Sequence, residues 1–285
     1  VTTPAAAPDP TTACMISAPA GFEDHSAGAL TLAETELARS AGVFTATSSQ
    51  RVSDVSATSA ALARTPGEEC TLTTVVGPGG AKELDSYARE NPEALFLGVA
   101  SGRENLPDNV LSIDFDLVPP AFIAGYIAAT ASESGEVAAF VSRGFPQAEE
   151  ILSAFDAGVA LYNEEADEET ADVTSFRDSR IAARTVDDTE EGGREFFDSA
   201  SRADADVIVP FGSAAAMGVL GAADETRAAA ATATPDPAGD GEPPVLPKLI
   251  WYGASGGFSD AVVATIEPNI RRGLRTMFPD WPQSK

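Results

Sequence analysis

The chain has 285 residues, is 44% hydrophobic, and sets 18 basic residues against 44 acidic ones for a net charge of −26. That length suits two lobes or one large α/β domain, and the apolar share argues against global disorder. A surface this acidic repels phosphate backbones and anionic lipid, so nucleic acid is not an expected partner, and the charge itself reads as solubility. No apolar run approaches the roughly 20 residues of a membrane span.

The opening VTTPAAAPDPTTA is rich in Thr, Pro and Ala, and residues 1–12 read as a flexible tether. Such a tether fits an exported protein whose signal has been removed, and equally a trimmed cytosolic one. Cys14-Met15-Ile16-Ser17 then reads as a strand, and a helix follows around 26–40 with Leu30, Ala33 and Leu37 at helical spacing. GVFTATS (42–48) reads as a strand and 52–64 as a helix. TLTTVVG is a strand, GGAKELDSYARE a helix, and ALFLGVA and NVLSIDFD are strands. The alternation argues for βαβ units and a parallel sheet.

The pattern then restarts. PPAFIAGYIAATASES is a helix with proline at its start, EVAAFVS a strand, and PQAEEILSAFDAGVALYNEE a helix. DVTSF is a short strand candidate, EEGGREFFDSASRA a helix, ADVIVPF a strand, SAAAMGVLGAADETRAAAA a helix and PKLIWYGA the last strand. Two successive βα arrays predict two similar lobes. NEEADEETAD reads as a solvated acidic loop, and the Pro- and Gly-rich stretch within 230–247 as a mobile surface loop.

A parallel sheet places ligands at the carboxyl ends of its strands, which directs attention to the loops there. Between the first strand and helix, Asp24 and Ser26 either cap the helix or face a ligand. His25 is the single histidine, so zinc has no support, and it reads as exposed or as a ligand hydrogen-bonding group. Phe22 either stacks on a ligand ring or staples its loop to the core. Gly79, within Gly77–Gly80, gives a ligand access to backbone N–H groups or simply turns the chain into a helix. Ser101 and Arg103 follow the next strand. Arg143 and Phe145 follow EVAAFVS, where an arginine either clamps an anion or makes a surface ion pair. Phe211 and Ser213 follow DVIVP, while Trp251 and Tyr252 read as core. Nucleophile elbows, HExxH, Walker loops and dinucleotide fingerprints are all missing from the sequence, and ASGGFSD at 254–260 lacks a base. The acids Asp187-Asp188 read as helix caps. The expectation is a protein that is not an enzyme and holds neither cofactor nor metal.

The two cysteines, Cys14 and Cys70, each open an apolar run. If those strands are neighbours in a parallel sheet, both sulfurs lie at the same end, and a disulfide in an oxidising compartment is expected; two buried free thiols are the alternative.

Several stretches, in order over residues 13–275, resemble the basic membrane protein family, substrate-binding lipoproteins of nucleoside-type ABC transporters. They are GFEDHSAGALTLAE, NPEALFLGVA with NVLSIDFDLVPPAFIAGYIAA, EVAAFVSRGFPQAEEILSAFDAGV, ADADVIVPFGSAAAMGVLGAADE and ATIEPNI. The resemblance implies a type I periplasmic-binding-protein fold: two Rossmann-like α/β lobes with parallel sheets, joined by a hinge, with a ligand closed between them. It divides the chain into an N-terminal lobe (13–117 plus about 267–285) and a C-terminal lobe (118–266). It makes the first and third strands neighbours, which supports the Cys14–Cys70 bridge. It also implies a small-molecule ligand, an ABC permease as partner, a monomer, and an extracytoplasmic location held by a lipid anchor upstream of Val1.

The departures from the family pattern fall where a nucleoside would be held. The stacking and hydrogen-bonding positions of the opening motif are Ala27 and Gly28, with Asp24 kept and His25 in place of a lysine. The strand that ends in a ribose-binding acid here ends Gly98-Val99-Ala100. The glycine loop reads Phe211-Gly212-Ser213-Ala214-Ala215-Ala216, a further acid is replaced by Ser255, and a lysine by Pro268. Removing buried carboxylates from a site built to bond ribose costs several kcal/mol. The expected function is therefore solute binding for an ABC transporter with a ligand other than a typical nucleoside. The competing expectation is a non-transport sensor or interaction module, or a degenerate paralogue with an empty cleft.

Overall fold

The computed structural model describes residues 11–17, 20–102, 105–166, 171–175, 184–232, 245–255 and 257–279. The tether through Pro10, the Pro-rich stretch 233–244 and Arg103 lie outside the described residues. The described chain forms two units: one holds the residues up to Glu23, then 27–114, then those from Asn269 onward; the other holds Asp24–Ser26 and Phe115–Pro268. Both are α/β units with wholly parallel sheets.

The first unit runs β1 (Thr12–Ser17), α1 (Ala27–Ser40), β2 (Ala46–Arg51), α2 (Val55–Leu62), β3 (Leu72–Val76), α3 (Ala81–Glu90), β4 (Phe96–Val99) and β5 (Val110–Ile113). Its sheet order is β2-β1-β3-β4-β5. β1 and β3 are flanked on both sides, so they are buried along nearly their whole length rather than on alternate residues. Cys14 of β1 is bonded to Cys70, just before β3, with Cα atoms 5.7 Å apart. This is the bridge that strand adjacency predicts.

β2 lies further along than the sequence suggests. Its apolar lead-in, Val43-Phe44, does not join the sheet; Phe44 is buried edge-to-face against Phe278, ring centroids 5.2 Å apart. The strand itself is the polar, largely exposed ATSSQR, suited to an edge. The helix expected over 52–64 shortens to Val55–Leu62 because Asp54 caps it, accepting from the Ala57 N–H at 3.0 Å.

The second unit begins with α4 (Val118–Ala131), β6 (Glu136–Ser142), α5 (Ala148–Glu165), β7 (Thr174–Ser175), β8 (Thr185–Val186), α6 (Glu190–Ser201) and β9 (Val207–Phe211). It continues through α7 (Ala214–Thr232), β10 (Lys248–Tyr252) and β11 (Val262–Ile266). The sheet order is β11-β10-β9-β6-β7, and β8 pairs with the far end of β6. β10 is therefore not the last strand; β11 lies outside it. The last helix, α8 (Ile270–Met277), returns to the first unit and packs on α1; its Ile270 and Leu274 are buried, and Arg275 is bidentate on Glu34 at 2.6 and 2.8 Å.

Period-two alternation sorts the central strands of the second unit. Val137, Ala139, Val141, Val209 and Ile250 pack under α4 and α5, while Ala138, Phe140, Ile208, Leu249 and Trp251 pack under α6 and α7. α4 and α5 touch backbone to backbone. A Cβ at Gly125 would overlap the Phe155 carbonyl oxygen, and one at Gly158 the Phe122 carbonyl oxygen. Arg184, leading into β8, is anchored to α5 by both Asp156 oxygens at 2.9 and 2.8 Å.

Candidate functional site

In each unit the carboxyl ends of the strands carry the residues of interest. In the first unit, Gly79 sits in a tight turn, Pro78–Gly80, between β3 and α3. The glycine that must lack a side chain there is Gly80. A Cβ on it would stand 2.7 Å from Val75 Cγ1 and 3.1 Å from Thr58 Cγ2, so its absence admits protein rather than ligand. Phe22 is half-buried in the loop after β1.

Ser101 follows β4 and is 4% exposed. The preceding Ala100 takes φ +52°, and the loop is held by Asp114 at the end of the neighbouring β5. Asp114 accepts from the Gly102 N–H at 2.6 Å, from Ser101 Oγ at 3.3 Å and from Ser112 Oγ. A carboxylate thus stands beside the strand end where the sequence has Ala100, supplied by the adjacent strand. Reading β4 alone misses it; the signal is the first acid of SIDFD.

In the second unit, Arg143 follows β6, and its Nε donates to Asp187 Oδ1 at 2.5 Å, both side chains exposed. Asp188, the next residue, has one oxygen accepting three donors: Ser142 Oγ at 3.0 Å, the Ser213 N–H at 3.1 Å and the Ala215 N–H at 3.0 Å. Asp188 is a helix cap, but of α7 rather than of its own helix α6, which Thr189 caps through the Gly192 N–H. The amides that start α7 already hold a carboxylate. Beside this segment runs an open groove of about 520 Å³, lined by Arg143, Thr185, Asp187, Glu191, Glu195 and Phe196 among others.

Phe145 and Phe211 both contact the Tyr252 ring, at 6.3 and 6.1 Å between centroids. Phe211 is fully buried and Phe145 partly exposed. Trp251 and Tyr252 are buried in the core, as their apolar strand predicts. Ser255 donates to Glu267 from its hydroxyl at 2.6 Å and from its amide at 3.3 Å.

Asp24, His25 and Ser26 belong to the second unit. Ser26 Oγ donates to the Tyr252 carbonyl at 3.1 Å, its N–H donates to Asp24 Oδ1 at 2.9 Å, and the His25 ring lies parallel on Phe258 at 4.2 Å. The structure therefore gathers Asp24, His25, Ser26, Phe145, Phe211, Ser213, Ser255 and Arg143 in the second unit and leaves Phe22, Gly79 and Ser101 in the first. Among the described residues no group of three or more His, Cys, Asp or Glu side chains is placed to hold a metal ion.

Solved structures share this architecture. An ABC transporter system solute-binding protein from Aeropyrum pernix K1 superposes with a TM-score of 0.74 at 16% identity, over 96% of this chain and 71% of that one. A transcriptional activator of the comK gene from Bacillus halodurans gives 0.61 at 14% identity, over 96% and 83%. A LacI family transcriptional regulator from Mycobacterium smegmatis gives 0.61 at 11% identity, over 96% and 90%. At these identities the likeness is one of fold, the periplasmic-binding-protein type. No curated protein matches the chain by sequence. The model of the Bmp family, described as ABC transporter substrate-binding protein PnrA-like, matches residues 69–236, more than half of the chain. With five motifs in family order and the two parallel-sheet units that such proteins share, the chain belongs to the Bmp family of PnrA-like ABC transporter substrate-binding proteins.

Proposed function

We propose that this protein captures a small molecule outside the cytoplasm and presents it to an ABC permease, as a monomer without catalytic activity, and that its ligand is not a typical purine nucleoside. Family membership supports the transport role and the small-molecule class. The reading against a nucleoside rests on the residues that replace the family's nucleoside-holding positions, Ala27, Gly28, Ala100, Ser255 and Pro268; the internal use of the polar groups at the strand ends argues against an anion. Arg143 is engaged by Asp187, the Ser213 amide by Asp188, Ser255 by Glu267, and Ser101 and Gly102 by Asp114. An anion arriving in the second unit would have to displace a tethered carboxylate, which is present at far higher effective concentration. A neutral or cationic solute meets no such competition.

The same observation favours a second reading, a sensor or interaction module that binds no solute. A thermal-shift screen against nucleosides, nucleobases, sugars, amino acids and small acids separates the two. A ligand at 100 times its dissociation constant stabilises the fold by about 2.7 kcal/mol, a shift of a few degrees. The expected result is a hit outside the nucleosides and the anions. Silence across the panel favours the module.

A further inference from the structure

The tripeptide Asp24-His25-Ser26 sits between β1 and α1 in sequence, both elements of the first unit, yet it is part of the second. The chain leaves the first unit after Glu23 and re-enters it at Ala27. The His25 carbonyl accepts from Trp251 Nε1 at 2.9 Å and from the Ala254 N–H at 2.7 Å. Ser26 Oγ bonds the Tyr252 carbonyl, and the His25 ring stacks on Phe258 with its plane 1° from parallel. Phe258 in turn meets Trp251 edge-on at 5.6 Å. The receptor for the tripeptide is thus the end of β10 and the loop that follows it.

Two backbone features fit this dock and have no other evident use. His25 takes φ +47°, a left-handed conformation that a β-carbon disfavours. Gly253 has no room for a side chain, because a Cβ there would overlap the His25 carbonyl oxygen and stand 2.7 Å from Trp251 Nε1 and 2.9 Å from Ser26 Cα. The receptor strand is buried and paired on both sides, so it is the rigid partner. The tripeptide has no sheet pairing of its own; the contacts that hold it include three hydrogen bonds to the receptor and one ring stack.

We propose that Asp24–Ser26 is a reversible latch, docked on the β10–β11 loop and released by a local opening that unfolds neither unit. The latch works whichever solute the protein takes, so it stands independently of the ligand reading. Its release exposes the Trp251 indole N–H and the Ala254 amide together, since both donate to the same carbonyl oxygen.

Native-state amide exchange of the full, disulfide-bonded chain tests this, read at Ala254 against the amides of β10 over low denaturant concentrations. A latch predicts that Ala254 exchanges faster than the β10 amides and with almost no denaturant dependence, the mark of a small opening. Exchange of Ala254 with the same steep denaturant dependence as β10 would overturn the proposal. His25→Ala removes the stack and leaves the carbonyl in place. It should raise the Ala254 rate by about tenfold or more while the β10 rates stay as they were. In a Trp281→Phe background, where Trp251 is the sole tryptophan, it should shift the emission to the red. Gly253→Ala should do the same more strongly. If His25→Ala leaves both the Ala254 rate and the emission unchanged, the dock is not held by these contacts and the latch is wrong.

Discussion

Thr47 and Glu36 show how single side chains set the acid response of the first unit. The Thr47 hydroxyl donates to Glu36, with Arg39 on its other oxygen, and together they hold the Glu36 carboxyl below the usual range. Asp54 is lowered likewise by the Ser56 and Ser53 hydroxyls and the Ala57 N–H. A carboxyl lowered in the folded state contributes stability above its unfolded pKa and loses it as pH falls through the folded value. Thr47→Val removes the first cause for Glu36. We expect the variant to be slightly less stable at neutral pH and to show a shallower fall in stability below about pH 4.5, measured by urea unfolding at a series of pH values. An unchanged slope would show that the hydroxyl does not set the titration.

At this scale the sequence tells which residue types stand at the strand ends but not what they bond. Asp114 is one residue beyond β5 and serves the loop after β4, a partnership made by strand pairing alone. Asp188 looks like the cap of the helix that follows it and instead reaches across to α7. Long-range hydrogen bonds of this kind leave no local pattern.

Elements were more legible where they are central. β1, β6 and β9 announce themselves by continuous apolar stretches because both their edges and both their faces are covered, and β3 is buried as fully although two threonines stand at its centre. β11 leaves no such signature because it is an edge strand, with residues alternating between half-buried and exposed, behind the glycine-rich ASGGFSD. The glycines of α4 and α5 look in sequence like mere blemishes in two helices. In the structure they are the contact itself, each opposite the other helix's carbonyl oxygen. Gly125→Val therefore cannot be accommodated by side-chain movement. Helix propensity alone would make the change nearly neutral or favourable; overpacking against backbone makes it cost about 3 kcal/mol or more. Chemical unfolding of the variant decides between them, and a gain in stability would contradict the close packing.

For the whole molecule, the two-unit α/β architecture follows from the restart of the βα pattern, and the disulfide from the adjacency of β1 and β3. The Asp24–Ser26 excursion does not, since nothing in a glycine-bearing loop announces which unit will hold it. The bridge spans 56 residues within the first unit only, and its reduction releases that loop in the unfolded chain. Reduction should cost about 2–5 kcal/mol. Calorimetry should show the lost stability in the melting of the first unit, with amide protection in β6 and β9 retained below that transition. Equal loss of protection in both units would mean that they unfold as one.

The central claim is a Bmp-family binding protein whose site has departed from nucleosides. The most direct measurement is a calorimetric titration of the disulfide-intact protein with purine nucleosides, beside the solute that stabilises it in the thermal-shift panel. Saturable heat with that solute and none with adenosine, inosine or guanosine is the predicted result. Tight, saturable binding of any of the three would show that residues outside the family positions hold the ribose, and would contradict the account.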